Sequence, residues 1–210
     1  MRKVFFSFLL LALVHTCIAQ EETKQKRNFK GGLLAGAVTT QISGDGLGGW
    51  DKFGMAAGAW VSVPFSERSS ATMTMKYINK GSRTKRDTIN FETFGYYLNY
   101  IEVPLWFSYR LSKKSDSRLV LNAGPCIGFL LNQKIIQNGI EREINPSFRK
   151  LDVGLELGLA YEITPSFSIH LMGSSSVLPT RPNPGQTNWD SYYERGNYNQ
   201  TLQLLLSVAF

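Results

Sequence analysis

Apolar and polar residues alternate with a period of two over most of this chain, and that pattern limits what the chain can fold into. Residues 199–210 show it most clearly. Their apolar side chains share one face: Leu202, Leu204, Leu206, Val208 and Phe210. The other face holds Thr201, Gln203, Ser207 and Ala209, and only Leu205 departs from the alternation. Successive side chains of a β-strand point to opposite faces, whereas a helix would scatter these residues around its circumference. The pattern therefore predicts a strand.

Seven further segments show the same alternation. In residues 149–163, apolar positions alternate with small or acidic ones: Leu151, Val153, Leu155, Leu157, Leu159, Tyr161 and Ile163 lie opposite Asp152, Gly154, Glu156, Gly158, Ala160 and Glu162. The pattern recurs in residues 53–63, 71–77, 101–110, 119–131 and 167–172. Residues 29–43 form a weaker segment whose faces the pattern does not fix. The sequence thus predicts eight strands.

The connections between the predicted strands alternate in length. Long polar segments follow the first, third, fifth and seventh strands, at about residues 44–52, 82–96, 132–148 and 179–198. Short segments follow the second, fourth and sixth strands, at about residues 65–70, 111–117 and 164–166. Outer-membrane barrels have an even number of strands, short periplasmic turns and long external loops. The prediction is an all-β fold, an eight-stranded antiparallel up-and-down transmembrane β-barrel. A soluble lipocalin-like barrel is the alternative, but its apolar faces would have to point inward.

The first 19 residues are typical of a secretory signal peptide. Arg2 and Lys3 precede eleven largely apolar residues, 4–14, and small residues then allow cleavage between Ala19 and Gln20. Eleven residues are about half of the ~20 that a transmembrane helix needs. A lipidated Cys17 is the alternative. Residues 20–28 would form a short periplasmic tether, and residues 29–210 the outer-membrane β-barrel domain.

Composition excludes several classes of protein. With a mean hydropathy of −0.15, the 210-residue chain is too polar for a bundle of membrane helices. After cleavage the chain keeps one cysteine, Cys126, and one histidine, His170. Neither an internal disulfide nor a two-histidine metal site can then form, and no cofactor is expected.

Six charged residues lie on the predicted inward faces: Lys76, Glu102, Arg110, Asp152, Glu156 and Glu162. The interior of an eight-stranded barrel is just wide enough for side chains. We therefore expect a lumenal charge network, in which paired and hydrogen-bonded groups block a pore. A narrow gated channel is the alternative.

The chain resembles the PorT-like outer-membrane β-barrel proteins. The resemblance rests on the segment Tyr100-Ile101-Glu102-Val103-Pro104-Leu105, a glycine-rich first strand, Asp152-Val153-Gly154 and the terminal aromatic residue. It implies a barrel in the outer membrane of a Gram-negative bacterium that the barrel-assembly machinery inserts. Phe210, with Val208 and Leu206 before it, looks like the signal that this machinery recognises. The founding member is tied to a protein secretion system, so a role as a secretion accessory is an alternative.

Two patterns suggest catalytic or cofactor sites. Gly44-Asp45-Gly46-Leu47-Gly48-Gly49 fits the G-x-G-x-x-G pattern of dinucleotide sites, but such a site requires a following helix, and a strand is predicted there. Ser168 and His170 share one strand face, as a nucleophile and its base would. That face is predicted to point into the lumen, away from lipid substrates. We therefore expect a protein that is not an enzyme, with a structural, anchoring or surface-recognition role; a lipid-modifying enzyme is the alternative.

Basic residues cluster in and beside the second long loop: Lys80, Arg83, Lys85 and Arg86. Nucleic acid is not expected at a cell surface, whereas lipopolysaccharide phosphates are anionic and suit Lys and Arg. We expect these residues to contact lipopolysaccharide. The expected partners are thus membrane lipid and lipopolysaccharide, the assembly machinery during insertion and, in the alternative, secretion components; the barrel itself is expected to be a monomer.

Overall fold

The computed structural model describes residues 29–47, 49–84, 93–111, 118–182 and 196–210. The predicted signal peptide, its cleavage site at Ala19 and Gln20, and the tether over residues 20–28 lie outside the described residues. The strands are β1 (Lys30–Ser43), β2 (Lys52–Pro64), β3 (Ser69–Arg83), β4 (Phe94–Arg110), β5 (Leu119–Gln137), β6 (Ile140–Arg142), β7 (Leu151–Thr164), β8 (Phe167–Ser176), β9 (Arg181–Pro182) and β10 (Gly196–Ala209). In these ranges no helix is long and apolar enough to cross a membrane.

Eight of these strands close into a barrel. Strands β1 to β5, β7, β8 and β10 each pair antiparallel with the next, and β10 returns to pair with β1. This last seam runs from Gly32 opposite Ala209 to Ser43 opposite Tyr198. The short strands β6 and β9 extend the sheet locally, beside β5 and β10. The predicted eight-stranded antiparallel up-and-down barrel is confirmed.

The alternation separates two surfaces of the barrel. Apolar residues such as Leu155, Leu157 and Leu204 are exposed on the outer face of the barrel. Their neighbours on the same strands, such as Glu156 and Gln203, are buried inside. Leu205, the one apolar residue out of phase in the last strand, also points inward and is fully buried. The barrel therefore carries apolar side chains outside and polar side chains inside, which is the reverse of a soluble protein.

The two ends of the barrel differ. At one end, which we call the short-loop end, residues 65–68 and 165–166 join neighbouring strands, and β1 begins and β10 ends there. At the opposite, long-loop end, the connections are longer. There the segment before β7 folds inward, so that Ile144 and Phe148 are buried against Tyr96. Arg181 donates to the Tyr96 hydroxyl and lies over the Phe148 ring, which holds these residues in place. We call Ile144, Phe148 and Tyr96 the cover.

A β-bulge interrupts the pairing of β4 with β5. Asn99 lies opposite Asn132, but the next residue, Tyr100, lies opposite Leu130, so Leu131 is left without a partner. The extra residue reverses which side chains of β5 point inward beyond this position. As a result Leu98 and Tyr96 face the interior together with Gln133 and Ile135, and β5 extends to Gln137.

Candidate functional site

Charged side chains fill the middle of the barrel. Lys76 Nζ lies 2.6 Å from Glu156 Oε1 and 3.6 Å from Glu102 Oε2. Lys80 Nζ lies 2.5 Å from Glu102 Oε1 and 2.9 Å from Asp152 Oδ2. All five side chains are almost fully buried. We call these five residues the plug.

Uncharged groups complete the hydrogen bonding of the plug. Glu156 accepts bonds from Trp106 Nε1 at 2.7 Å and Gln203 Nε2 at 2.6 Å. Asp152 accepts bonds from Ser176 Oγ at 2.7 Å and Asn199 Nδ2 at 2.9 Å. The plug has two cations and three carboxylates, so these extra donors stabilise the carboxylate in excess.

The strand register explains why these residues meet. Lys76 on β3 lies directly opposite Glu102 on β4, and Glu102 lies opposite Gly128 on β5, which lies opposite Asp152 on β7. The glycine between the two acidic residues leaves space for long side chains from both sides. Lys80 is four residues after Lys76 on β3, so it reaches the same space from one layer above.

Lys80 does not lie on an exposed loop, and its predicted contact with lipopolysaccharide is wrong. Its side chain is only 5% exposed. The reason is that β3 continues to Arg83, beyond the predicted end at Tyr77, and Lys80 shares the inward face of Lys76. Arg83 is exposed at the end of β3. Lys85 and Arg86 lie outside the described residues.

Arg110 and Glu162 form a separate pair. The Arg110 guanidinium donates two bonds to the Glu162 carboxylate, at 2.7 and 2.9 Å, near the short-loop end. Both side chains are about one-third exposed. The six residues of the expected lumenal network therefore divide into the buried plug and this half-exposed pair.

Ser168 and His170 are two residues apart on β8 and share its inward face. The Ser168 hydroxyl and His170 Nε2 are 3.0 Å apart. The other ring nitrogen, Nδ1, is buried with no hydrogen-bond partner among the described residues. A nucleophile and its base need a third group to orient the base, and that group is missing at Nδ1. Nor do three metal-ligating side chains come together within the described part of the chain.

The described residues of the glycine-rich hexapeptide lie between β1 and β2. Asp45 accepts hydrogen bonds from the Leu47 amide, at 2.8 Å, and from the Ser82 hydroxyl. Burial raises the pKa of the Asp45 carboxyl above its usual value. Strand β2 follows, so the described residues have no helix N-terminus here for a pyrophosphate.

The three residues of the expected assembly signal lie at the short-loop end. Leu206, Val208 and Phe210 share the outer face of the last strand and are exposed. The Phe210 amide donates to the Gly31 carbonyl at 3.0 Å, so the chain end is tied to the first strand.

Comparison with known sequences identifies the family. Residues 19–176 match the outer membrane protein beta-barrel domain. The chain belongs to this family. The protein is therefore an outer-membrane β-barrel, located in the outer membrane of a Gram-negative bacterium, as predicted. The short-loop end of such a barrel faces the periplasm and the long-loop end faces the cell exterior.

Solved structures share the fold of this outer-membrane β-barrel. Ail, the attachment invasion locus protein of Yersinia pestis, is similar in its complex with the heparin analogue sucrose octasulfate: TM-score 0.50, 14% identity, covering 87% of this chain and 99% of Ail. A second structure of Yersinia pestis Ail has a TM-score of 0.50 and 15% identity, and the match covers 86% of this chain and 98% of Ail. For Neisserial surface protein A the TM-score is 0.49 and the identity 13%, and the match covers 86% of this chain and 97% of that protein. No curated protein sequence matches this chain.

Proposed function

We propose that this protein is a non-enzymatic, non-conducting barrel that anchors its external loops at the cell surface for structural or recognition purposes. The observation that supports this proposal is the plug. Its five charged side chains come from β3, β4 and β7 and pair across the lumen. Trp106, Tyr100 and Gln203, each almost fully buried, fill the space around them.

The cover at the long-loop end acts in series with the plug. Ile144, Phe148 and Tyr96 form an apolar layer above the charged layer. An ion that entered from outside would meet first a mainly apolar layer, in which the Tyr96 hydroxyl already accepts a hydrogen bond from Arg181, and then groups already paired with one another. Both layers oppose conduction, because an ion loses its hydration without gaining new ligands.

Conductance tests the closed lumen. We expect purified, folded protein to give no single-channel steps in planar lipid bilayers, because the charged groups of the plug are buried and already paired with one another. A sixteen-stranded porin, which leaves an aqueous channel, is the positive control in the same bilayers. Steady, reproducible steps from the folded protein would contradict the proposal.

Basic residues at and after the end of β3 suit a contact that anchors the barrel. We propose that Arg83, with Lys85 and Arg86, contacts lipopolysaccharide phosphates. Arg83 ends β3 at the long-loop end with an exposed side chain, and a guanidinium suits a phosphate. Without Lys80, three cations of this group remain close together in the sequence: Arg83, Lys85 and Arg86.

Charge reversal tests that contact. Replacing Arg83, Lys85 and Arg86 by glutamate should reduce retention on lipopolysaccharide beads at least about tenfold, since each cation near an anionic membrane surface contributes roughly 1 kcal/mol. A matched variant reverses Lys30 and Arg118, which are exposed at the periplasmic end. Equal retention of the two variants would exclude a specific role of the loop.

A role as a PorT-like accessory of protein secretion is the second candidate. It is favoured by the resemblance in residues 100–105. Two members of that segment, Tyr100 and Glu102, point into the plug. We propose that the resemblance reflects a shared closed interior, compatible with a partner that binds the rim of the barrel rather than passing through it.

A further inference from the structure

The described residues do not fill the barrel interior on the periplasmic side of the plug. A cavity of about 230 Å³ opens there toward the periplasm. Its wall includes two indole rings, those of Trp60 and Trp106, together with the His170 ring. Eight hydroxyl side chains also line it: Ser62, Ser66, Ser69, Ser70, Thr72, Ser108, Ser168 and Ser207. Neither the plug nor the external loops account for this space.

Five charged residues line the cavity: Lys30, Glu67, Arg68, Arg110 and Glu162. Lys30 and Glu67 are exposed at the rim, and the other three are engaged in further contacts. Arg110 binds Glu162 with both terminal nitrogens. Arg68 donates to the carbonyl oxygens of Arg110 and Leu111, and its guanidinium lies over the Tyr109 ring at 4.8 Å. A ligand inside the cavity would therefore meet mainly uncharged groups.

The hydroxyl groups of the wall retain hydrogen-bonding capacity. Thr72 Oγ1 donates to Ser62 Oγ at 2.9 Å and lies 3.3 Å from Ser108 Oγ. A hydroxyl can donate one bond and accept two. The chain of three hydroxyls can thus bind both donors and acceptors of a guest molecule without losing its internal bonds.

Trp60 presents an indole ring to the cavity. A Cβ atom at position 32 would lie 2.7 Å from Cε2 and Cζ2 of this ring, so Gly32 lets the ring lie flat against β1. Trp60 Nε1 and His170 Nδ1 are both buried without a hydrogen-bond partner among the described residues. Both nitrogens have almost no accessible surface, so a guest would contact the faces of the two rings and not these atoms.

We propose that this cavity binds the terminal ring of a saccharide that enters from the periplasm. A sugar ring combines an apolar C–H face, which suits an indole, with hydroxyl groups around its edge, which suit the serine and threonine wall. The volume is below the ~300 Å³ at which pockets for drug-sized ligands begin, so one ring fits rather than a chain. This site is independent of the proposed function, which concerns the plug and the external end.

Nuclear magnetic resonance of the indole N–H groups tests the site. The folded, ¹⁵N-labelled full chain in detergent micelles is titrated with N-acetylglucosamine and, separately, with glucose. Trp60→Phe assigns the Trp60 signal. We expect that signal to shift and saturate with a Kd on the order of 1 mM for at least one sugar, because a single ring offers few contact atoms.

Two matched variants on β3 show whether the cavity is responsible. Thr72→Val removes the central hydroxyl without changing the side-chain shape and should weaken binding about threefold to tenfold. Met73→Leu changes the neighbouring lipid-facing side chain and should leave the Kd unchanged. Unboiled gel mobility confirms that both variants are folded. Absence of any Trp60 shift, an equal shift with sodium sulfate, or an equal Kd in Thr72→Val would each overturn the proposal.

Isolated cell-wall sacculi distinguish the two sources of such a sugar. Co-sedimentation that N-acetylglucosamine reverses, and that Thr72→Val weakens, would assign the site to the ends of cell-wall glycan chains. A saturating Trp60 shift without co-sedimentation would assign it to free periplasmic saccharides. Either result supports a saccharide site.

Discussion

Replacing Lys76 by methionine should lower the free energy of unfolding by about 3–5 kcal/mol. The side chain keeps nearly the same length, but the plug loses the cation that bonds Glu156 at 2.6 Å and Gln203 at 2.8 Å. Three buried carboxylates would then share the single cation of Lys80. Urea titration of the folded barrel in micelles, followed by unboiled gel mobility, measures the difference.

Lys134→Met is the matched control for this substitution. Lys134 also pairs with a carboxylate, that of Glu141 at 3.3 Å, but both side chains are well exposed. Exposed pairs contribute at most about 1 kcal/mol. If the two methionine variants unfolded at the same urea concentration, the plug would not stabilise the barrel. Adding Glu156→Gln to Lys76→Met should restore part of the lost stability, since it removes the unpaired charge.

Gly36→Val should destabilise the barrel by about 3 kcal/mol or more, through the seam that closes it. Gly36 on β1 lies opposite Leu205 on β10. A Cβ atom at Gly36 would lie 2.0 Å from the Leu204 carbonyl oxygen and 2.8 Å from Leu205 Cα. Both contacts are with backbone, so the two strands would have to separate. The folded, faster-moving band on an unboiled gel should be lost or greatly reduced.

Ala37→Val tests whether the effect belongs to the inward face. Ala37 is the next residue on the same strand and pairs with Leu204 at the same seam, but its side chain is exposed on the outer face. Valine there would contact lipid and should leave the folded band intact. Loss of the folded band in both variants would mean that this part of the seam tolerates no larger side chain on either face, and not that the interior lacks space.

The alternation of residues along the strands, together with the alternation of loop lengths, was sufficient to predict the fold. Lipid and lumen lie on opposite faces of each strand, so the apolar series Leu202 to Phe210 and the acidic series Asp152 to Glu162 already separate outside from inside. The alternating loop lengths then predicted an up-and-down barrel rather than a sandwich.

The pairing of charges inside the barrel could not be predicted in the same way. It depends on the stagger between strands, which alternation within one strand does not encode. The stagger is what brings Glu102 beside Lys76 but moves Arg110 and Glu162 to the periplasmic end. A signal for Lys80 was present, since it lies four residues after Lys76 on the same face of a strand. The polar residues 79–82 concealed it by resembling a loop.

The periplasmic cavity left no motif in the sequence. Its wall uses single serine, threonine and tryptophan residues from strands far apart along the chain. Each is unremarkable as an inward-facing residue, and only closure of the barrel brings them together. By contrast, Ser168 and His170 were found from their spacing because they lie on one strand.

Closure by the first and last strands also sets the order of folding events. Gly32 finds its partner, Ala209, only when the end of the chain has arrived, so the edge of β1 stays open throughout synthesis and export. An unpaired edge is a template for aggregation, and contacts between distant residues form slowly. The slowest step in biogenesis should therefore be the joining of the chain ends, and a protein that shields the edge of β1 until then would speed it most.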